Sequence, residues 1–131
     1  MIELEFVVWE FVRLMVELED SNASKQDDGA FAAWRLPWQE IDDRLTDLGK
    51  SDMNGFSDLM MDQTITVPCG APAHLSKAIE ALERVAGKLK AEIAQTRDND
   101  QREDELKFEL AELTGLIERL RAIDPKVLAS G

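Results

Sequence analysis

Hydrophobic positions dominate the first twenty residues and are interrupted by one narrow polar stripe. Five charged residues recur there at steps of seven, three, four and three, which is the spacing of one face of an α-helix. Several valines favour a strand by propensity, but a two-residue period would place the charged residues on both faces. A helix that is apolar on most sides lies in the middle of its fold, so a buried first helix is predicted. The five residues of this stripe are Glu3, Glu10, Arg13, Glu17 and Asp20.

A second helix is predicted from Pro37 to Leu48, after a helical turn that begins near Phe31. Its apolar positions recur at steps of three, four and three and therefore form one inward stripe. Trp34 precedes the proline and lies on no such stripe, so part of its ring is predicted to be exposed. The stripe consists of Trp38, Ile41, Leu45 and Leu48.

The segments on either side of this helix predict short elements. The polar residues 19–30 predict a loop, with Asp27 or Asp28 available to cap the next helix. After the helix, Ser51 or Asp52 is a candidate cap for another short helix. A short strand is predicted near residues 64–67, where apolar residues alternate with threonines before a turn.

Two heptad seams occupy the last part of the chain, over residues 75–93 and 106–120. Continuing the first seam beyond residue 93 reaches only polar residues, so the seams do not join into one rod. The chain is therefore predicted to turn back at residues 96–101 and to form an antiparallel helical hairpin. Apolar residues beside the seams widen the hairpin's apolar face, which predicts packing against another helix or a second copy.

These elements predict one all-α domain over residues 1–131. It is a helical bundle with a C-terminal antiparallel helical hairpin and at most one short β segment, near residues 64–67. Within it, residues 1–71 form an acidic helical half that holds the buried first helix, residues 72–123 form the hairpin, and residues 124–131 form a tail. A content of 44% hydrophobic and 32% charged residues suits one folded domain of this length.

Negative charge is concentrated in the first half of the chain. Residues 1–74 carry fifteen acids and five bases, net −10, whereas residues 75–131 carry twelve acids and ten bases, net −2. The total of −12 disfavours direct binding to nucleic acid and to an anionic membrane. A single cysteine, the absence of a basic signal-peptide stretch and the absence of a long uncharged apolar run favour a cytoplasmic protein.

A row of carboxylates on the Trp38 helix is the main candidate for a binding surface. Like charges at helical spacing repel one another, and a basic protein surface would offset that repulsion and steer association. The sequence thus predicts a non-catalytic acidic module that engages a basic partner without a cofactor, of the inhibitor, immunity or adaptor kind. A solvated face without a partner is the alternative. The predicted partner-binding residues are Trp34, Glu40, Asp42, Asp43 and Asp47.

Paired glutamates on the two hairpin helices suggest a different function. "EALE" contains Glu80 and Glu83, and "ELAE" contains Glu109 and Glu112. This pattern resembles the all-α nucleotide pyrophosphohydrolases, although their second segment normally ends in Asp, and the resemblance implies a Mg²⁺-dependent hydrolase. The heptad phase instead turns Glu80 outward and leaves Glu83 beside the seam. It therefore predicts ion pairs of these glutamates with Arg84, Lys88, Lys107 and Arg119. A third alternative is a structural homodimer through the hairpin. A zinc site would have to recruit carboxylates, because the chain contains one cysteine and one histidine.

Overall fold

Six α-helices and one two-stranded antiparallel sheet make up the described part of the chain. The structure is a computed structural model that describes residues 2–23, 29–96 and 98–123. It is 80% helical, and its last two helices pack together, so the predicted all-α fold with a C-terminal hairpin is confirmed. The elements are β1 (Ile2–Val7), α1 (Val8–Ala23), α2 (Ala30–Ala33), α3 (Arg35–Ser51), α4 (Met53–Asp62), β2 (Thr64–Cys69), α5 (Pro72–Gln95) and α6 (Asp100–Arg121).

The prediction of a helix is wrong over β1. This strand pairs with β2 in an antiparallel register that runs from Ile2 opposite Cys69 to Val7 opposite Thr64. Alternate side chains of a strand point to opposite faces, so Leu4 and Phe6 are buried while the glutamates beside them are exposed. The predicted strand near residues 64–67 is confirmed as part of β2. Its partner strand was missed because Glu3 of β1 continues the helical spacing of the charged residues in α1.

The prediction of a buried first helix is correct from Val8 onward. α1 packs against α5, α4, α2 and α3 and supplies fully buried side chains to the core. At its start, the Glu10 carboxylate accepts a hydrogen bond from the Val7 amide over 2.8 Å, as in one half of a capping box. The helix continues to Ala23, beyond the predicted start of the loop. Asp27 and Asp28, the candidate caps, lie outside the described residues.

Helices α3 and α4 are separated by an N-cap at Asp52, one of the two candidates. Its Oδ1 accepts a hydrogen bond from the Gly55 amide over 3.0 Å. A Cβ atom at Gly55 would lie 2.6 Å from the other Asp52 carboxylate oxygen, so glycine allows this cap to close. α3 begins two residues before Pro37, which occupies the first turn, where a helix needs no N–H donor. A small cluster joins these helices to α1 and consists of Val8, Ile41, Leu45 and Leu59.

The hairpin of α5 and α6 follows the predicted seams. The chain turns back after Thr96, and the Asn99 side chain caps α6 by accepting a hydrogen bond from the Arg102 amide over 3.1 Å. The widened apolar face of the hairpin packs against α1, which was one of the predicted coverings. Within the described ranges, none of the helices combines the length and the apolar character needed to cross a bilayer. The buried seam leucines are Leu75, Leu82, Leu89, Leu106, Leu113 and Leu120.

Candidate acidic binding face

Trp34 is buried, and the prediction that part of its ring is exposed is wrong. Its Nε1 donates a hydrogen bond to the Pro68 carbonyl oxygen over 2.7 Å, and its ring meets the His74 ring edge-on with centroids 6.2 Å apart. Trp34 stands between α2 and α3, where the chain direction changes and carries the side chain toward β2 and α5. Helical periodicity does not extend through such a junction, so the sequence pattern missed this orientation. A partner has no access to the Trp34 ring.

Trp38, assigned to the core stripe, is only partly buried. One edge of its ring packs against Phe11, with centroids 6.4 Å apart, as the stripe predicts. The rest borders a surface depression of about 310 Å³ that also includes Phe31 and Asp42. Trp38, and not Trp34, therefore has a partly exposed ring beside an acidic residue.

The four predicted carboxylates of α3 are all exposed, but they do not form one group. Successive residues of an α-helix are about 100° apart, which places Glu40, Asp43 and Asp47 within about 60° of one another. Asp42 lies on the other flank of the exposed surface, beside the Trp38 depression. Glu40, Asp43 and Asp47 therefore form one surface, which we call the α3 row. Asp42 belongs to the adjacent surface, beside the Trp38 depression.

Within the described ranges, no other side chain neutralises the α3 row. Among the described residues, no ion pair within 4.0 Å involves any residue of α3 or α4. These two helices and the residue between them carry seven acids and three bases, net −4. Carboxylates in α1, α5 and α6 are paired much more often. The paired ones are Glu17, Glu80, Glu83, Glu92, Glu103, Glu105 and Glu109.

The two glutamate pairs of the hairpin do not converge on a shared metal position. Glu83 pairs with Arg121 and borders a surface depression with Thr114, whereas Glu112 lines a different pocket with Glu10. Within the described ranges, no group of three or more potential metal ligands is present. Three of the four glutamates do form ion pairs, but the predicted partners Arg84, Lys88, Lys107 and Arg119 are wrong for them. The observed pairs are Glu80 with Lys77, Glu83 with Arg121 and Glu109 with Arg13.

Cys69 and His74 serve the packing around Trp34. The Cys69 thiol is buried in β2 and donates a weak hydrogen bond to the Ala71 carbonyl oxygen over 3.7 Å. Burial raises the pKa of this thiol, which keeps it in its unreactive neutral form. The His74 ring contacts Trp34. These contacts give both side chains a structural role.

Glu10 is a buried carboxylate whose environment the sequence did not indicate. Only 1% of its surface is exposed, at the edge of a pocket of about 480 Å³ that also contains Glu112 and Arg119. Burial raises the pKa of Glu10, and the hydrogen bond from the Val7 amide and the charge of Arg119 partly oppose this effect. The folded protein therefore holds a proton on Glu10 more readily than the unfolded chain does.

Replacing Glu10 with glutamine is expected to change how stability depends on pH. Because the folded pKa lies above the unfolded value of 4.5, the wild type loses stability as pH rises from about 4.5 through the folded pKa. Glutamine keeps an acceptor for the Val7 amide and removes this titration, so the variant should gain stability relative to the wild type over that range. Urea unfolding across the range measures the difference, with the exposed Glu3→Gln as the control for one lost charge. The prediction is contradicted if the difference in unfolding free energy between Glu10→Gln and the wild type stays constant with pH.

Comparison of the chain with known protein families, with curated proteins and with solved structures gave no match. Its function is therefore inferred from the arrangement of its own side chains.

Proposed function

We propose that this protein is a non-catalytic binding module that engages a basic surface of a partner protein through α3. The observation that carries the proposal is the exposed α3 row, whose carboxylates have no ion pair among the described residues. By contrast, seven carboxylates of α1, α5 and α6 form ion pairs within the described part of the chain. A module that occupies or bridges a basic surface is of the inhibitor, immunity or adaptor kind. A cytoplasmic location, where the single thiol of Cys69 stays reduced, is part of the same proposal.

The energetics of the α3 row favour an external cation. Glu40 and Asp43 are three residues apart, and Asp43 and Asp47 are four apart, so each pair costs about 0.2–0.5 kcal/mol in an isolated helix. The row extends about 10 Å along the helix, which is close to the Debye length of about 8 Å at physiological ionic strength. Its charges therefore act together on a surface that comes into contact. Such a field accelerates association with a basic partner by roughly 10- to 1,000-fold at low salt.

Reversing the charge of the row tests this proposal. The variant E40K/D43K/D47K keeps three like charges on α3, so the internal repulsion is similar, but its surface now repels a basic partner. We expect it to lose the partner in affinity capture from the source cell, and to associate with the captured partner at least about tenfold more slowly at low salt. The wild-type association should weaken as salt rises, while that of the variant should not.

A matched control variant distinguishes the effect of charge on α3 from the effect of the protein's net charge. The variant E3K/E5K/E118K reverses three exposed carboxylates outside α3, and each triple variant changes the net charge from −12 to −6. The control is expected to retain the partner with most of the wild-type salt dependence. If the two triple variants behave alike, or if the α3 variant binds as the wild type does, the α3 row is not the binding surface.

A further inference from the structure

We propose that the groove between α4 and α6, lined by Met61 and Phe108, binds a cationic amphipathic helix of a partner protein. This inference extends the proposed function to a second surface and shares with it only the basic character of the partner. The groove has a volume of about 470 Å³ and is bordered by the acidic side chains of Asp104, Glu105 and Glu109.

Phe108 is the first reason to regard the groove as a contact surface. It lies two residues after the seam residue Leu106, which is about 200° around α6 and therefore away from the hairpin core. Its exposed fraction is 56%, and that of Met61 on the facing helix is 47%. Two exposed apolar side chains in one groove offer a partner a joint apolar contact, whereas scattered single ones do not. Methionine also adapts its shape to different partner side chains.

The charged residues around the groove favour a positively charged occupant. Three acidic side chains and no basic one line the groove itself. Arg13 pairs with Glu109 over 3.2 Å, and Arg102 pairs with Glu105 over 3.5 Å, whereas Asp104 has no ion pair among the described residues. An apolar groove with an acidic rim complements a helix that carries apolar residues on one face and lysines or arginines beside them.

A second copy of this chain does not fit the groove well. The chain has a net charge of −12, and a self-association through the groove would bring acidic rims together. The same charge disfavours nucleic acid and anionic membranes as occupants. A basic helix from a different protein satisfies both the apolar groove and its rim.

A designed peptide tests the proposal without knowledge of the natural partner. The probe is a fluorescein-labelled amphipathic peptide of about 18 residues, five helical turns, with leucines on one face and lysines on the other. The comparison peptide has serine at every leucine position and the same charge. By fluorescence anisotropy, the wild type is expected to bind the leucine peptide at least about tenfold more tightly than the serine peptide.

Substitutions in the groove locate the binding. Phe108→Ser is expected to weaken binding of the leucine peptide by about tenfold or more and to leave the serine peptide unaffected. Met61→Ser should act in the same direction, and Leu36→Ser, which removes an exposed apolar side chain of α3, is the matched control. Because all three positions are exposed, the variants should remain folded, as circular dichroism will show.

Several results would overturn the proposal. These are equal binding of the two peptides by the wild type, an unchanged affinity in Phe108→Ser, or a wild-type self-association in sedimentation that Phe108→Ser abolishes. A loss of peptide binding in E40K/D43K/D47K but not in Phe108→Ser would also reject the groove while leaving the function proposed for α3 intact. A loss of leucine-peptide binding in Phe108→Ser supports the groove, whether or not E40K/D43K/D47K also loses binding.

Discussion

Replacing Trp34 with alanine is expected to lower the free energy of unfolding by about 3–5 kcal/mol. The ring is fully buried between the α2–α3 junction, β2 and His74, so its removal leaves a large cavity. It also removes the 2.7 Å hydrogen bond from Nε1 to the Pro68 carbonyl oxygen. The loss combines the transfer free energy of the ring, the cost of the cavity and the cost of an unsatisfied carbonyl group.

Two further variants make this result specific to the environment of Trp34. Trp34→Phe fills most of the cavity but lacks the donor, and we expect a cost of about 1–3 kcal/mol. Trp38→Ala should cost less than Trp34→Ala, because Trp38 is only partly buried. Urea unfolding followed by far-ultraviolet circular dichroism measures all three without relying on tryptophan fluorescence. A cost below about 1 kcal/mol for Trp34→Ala would mean that the ring is exposed, as the sequence pattern had suggested.

The second large effect is expected where Glu17 of α1 meets α5. The carboxylate of Glu17 is buried, and it accepts hydrogen bonds from Arg84 Nε over 3.4 Å and from the Lys88 ammonium group. Replacing both cations with methionine would leave a buried negative charge without these partners, which typically costs about 3–5 kcal/mol. The two basic side chains are 44% and 63% exposed, so solvent screening reduces the expected loss to about 2–3 kcal/mol.

A triple variant distinguishes the buried charge from other effects of these substitutions. Adding Glu17→Gln to R84M/K88M removes the unpaired charge, and stability is expected to return to within about 1 kcal/mol of the wild type. Urea unfolding of the wild type, the double variant and the triple variant measures this recovery. If the triple variant is no more stable than the double variant, the loss arises from packing by the long side chains. In that case the charge of Glu17 is not the cause.

The hairpin shows what a local pattern predicts well. Its seams repeat every three or four residues within each helix, so the burial of Leu82 and Leu113 depends on spacing that the sequence displays directly. The polar residues between the seams marked the turn, and Asn99 caps α6 there. Asp52 was predictable for the same reason, because a helix cap bonds to an amide only a few residues away.

β1 and Trp34 show where such patterns fail. The partner of β1 is β2, and even the closest pair across them, Val7 and Thr64, is 57 residues apart in the chain. The orientation of Trp34 likewise depends on Pro68, 34 residues away. Neither contact leaves a periodic trace, and the helical spacing of the charged residues in α1 concealed the alternation in β1.

The candidate site likewise has features that the sequence predicts and features that depend on tertiary packing. The sequence by itself determined that this protein is a helical bundle with a buried first helix and an acidic first half, because periodicity and charge are properties of neighbouring residues. Only the tertiary structure decided which tryptophan is covered, which glutamates meet a base, and that Met61 and Phe108 share one groove. Those outcomes depend on how helices remote in sequence pack together, and packing determines whether a charge is paired and whether an apolar side chain is covered.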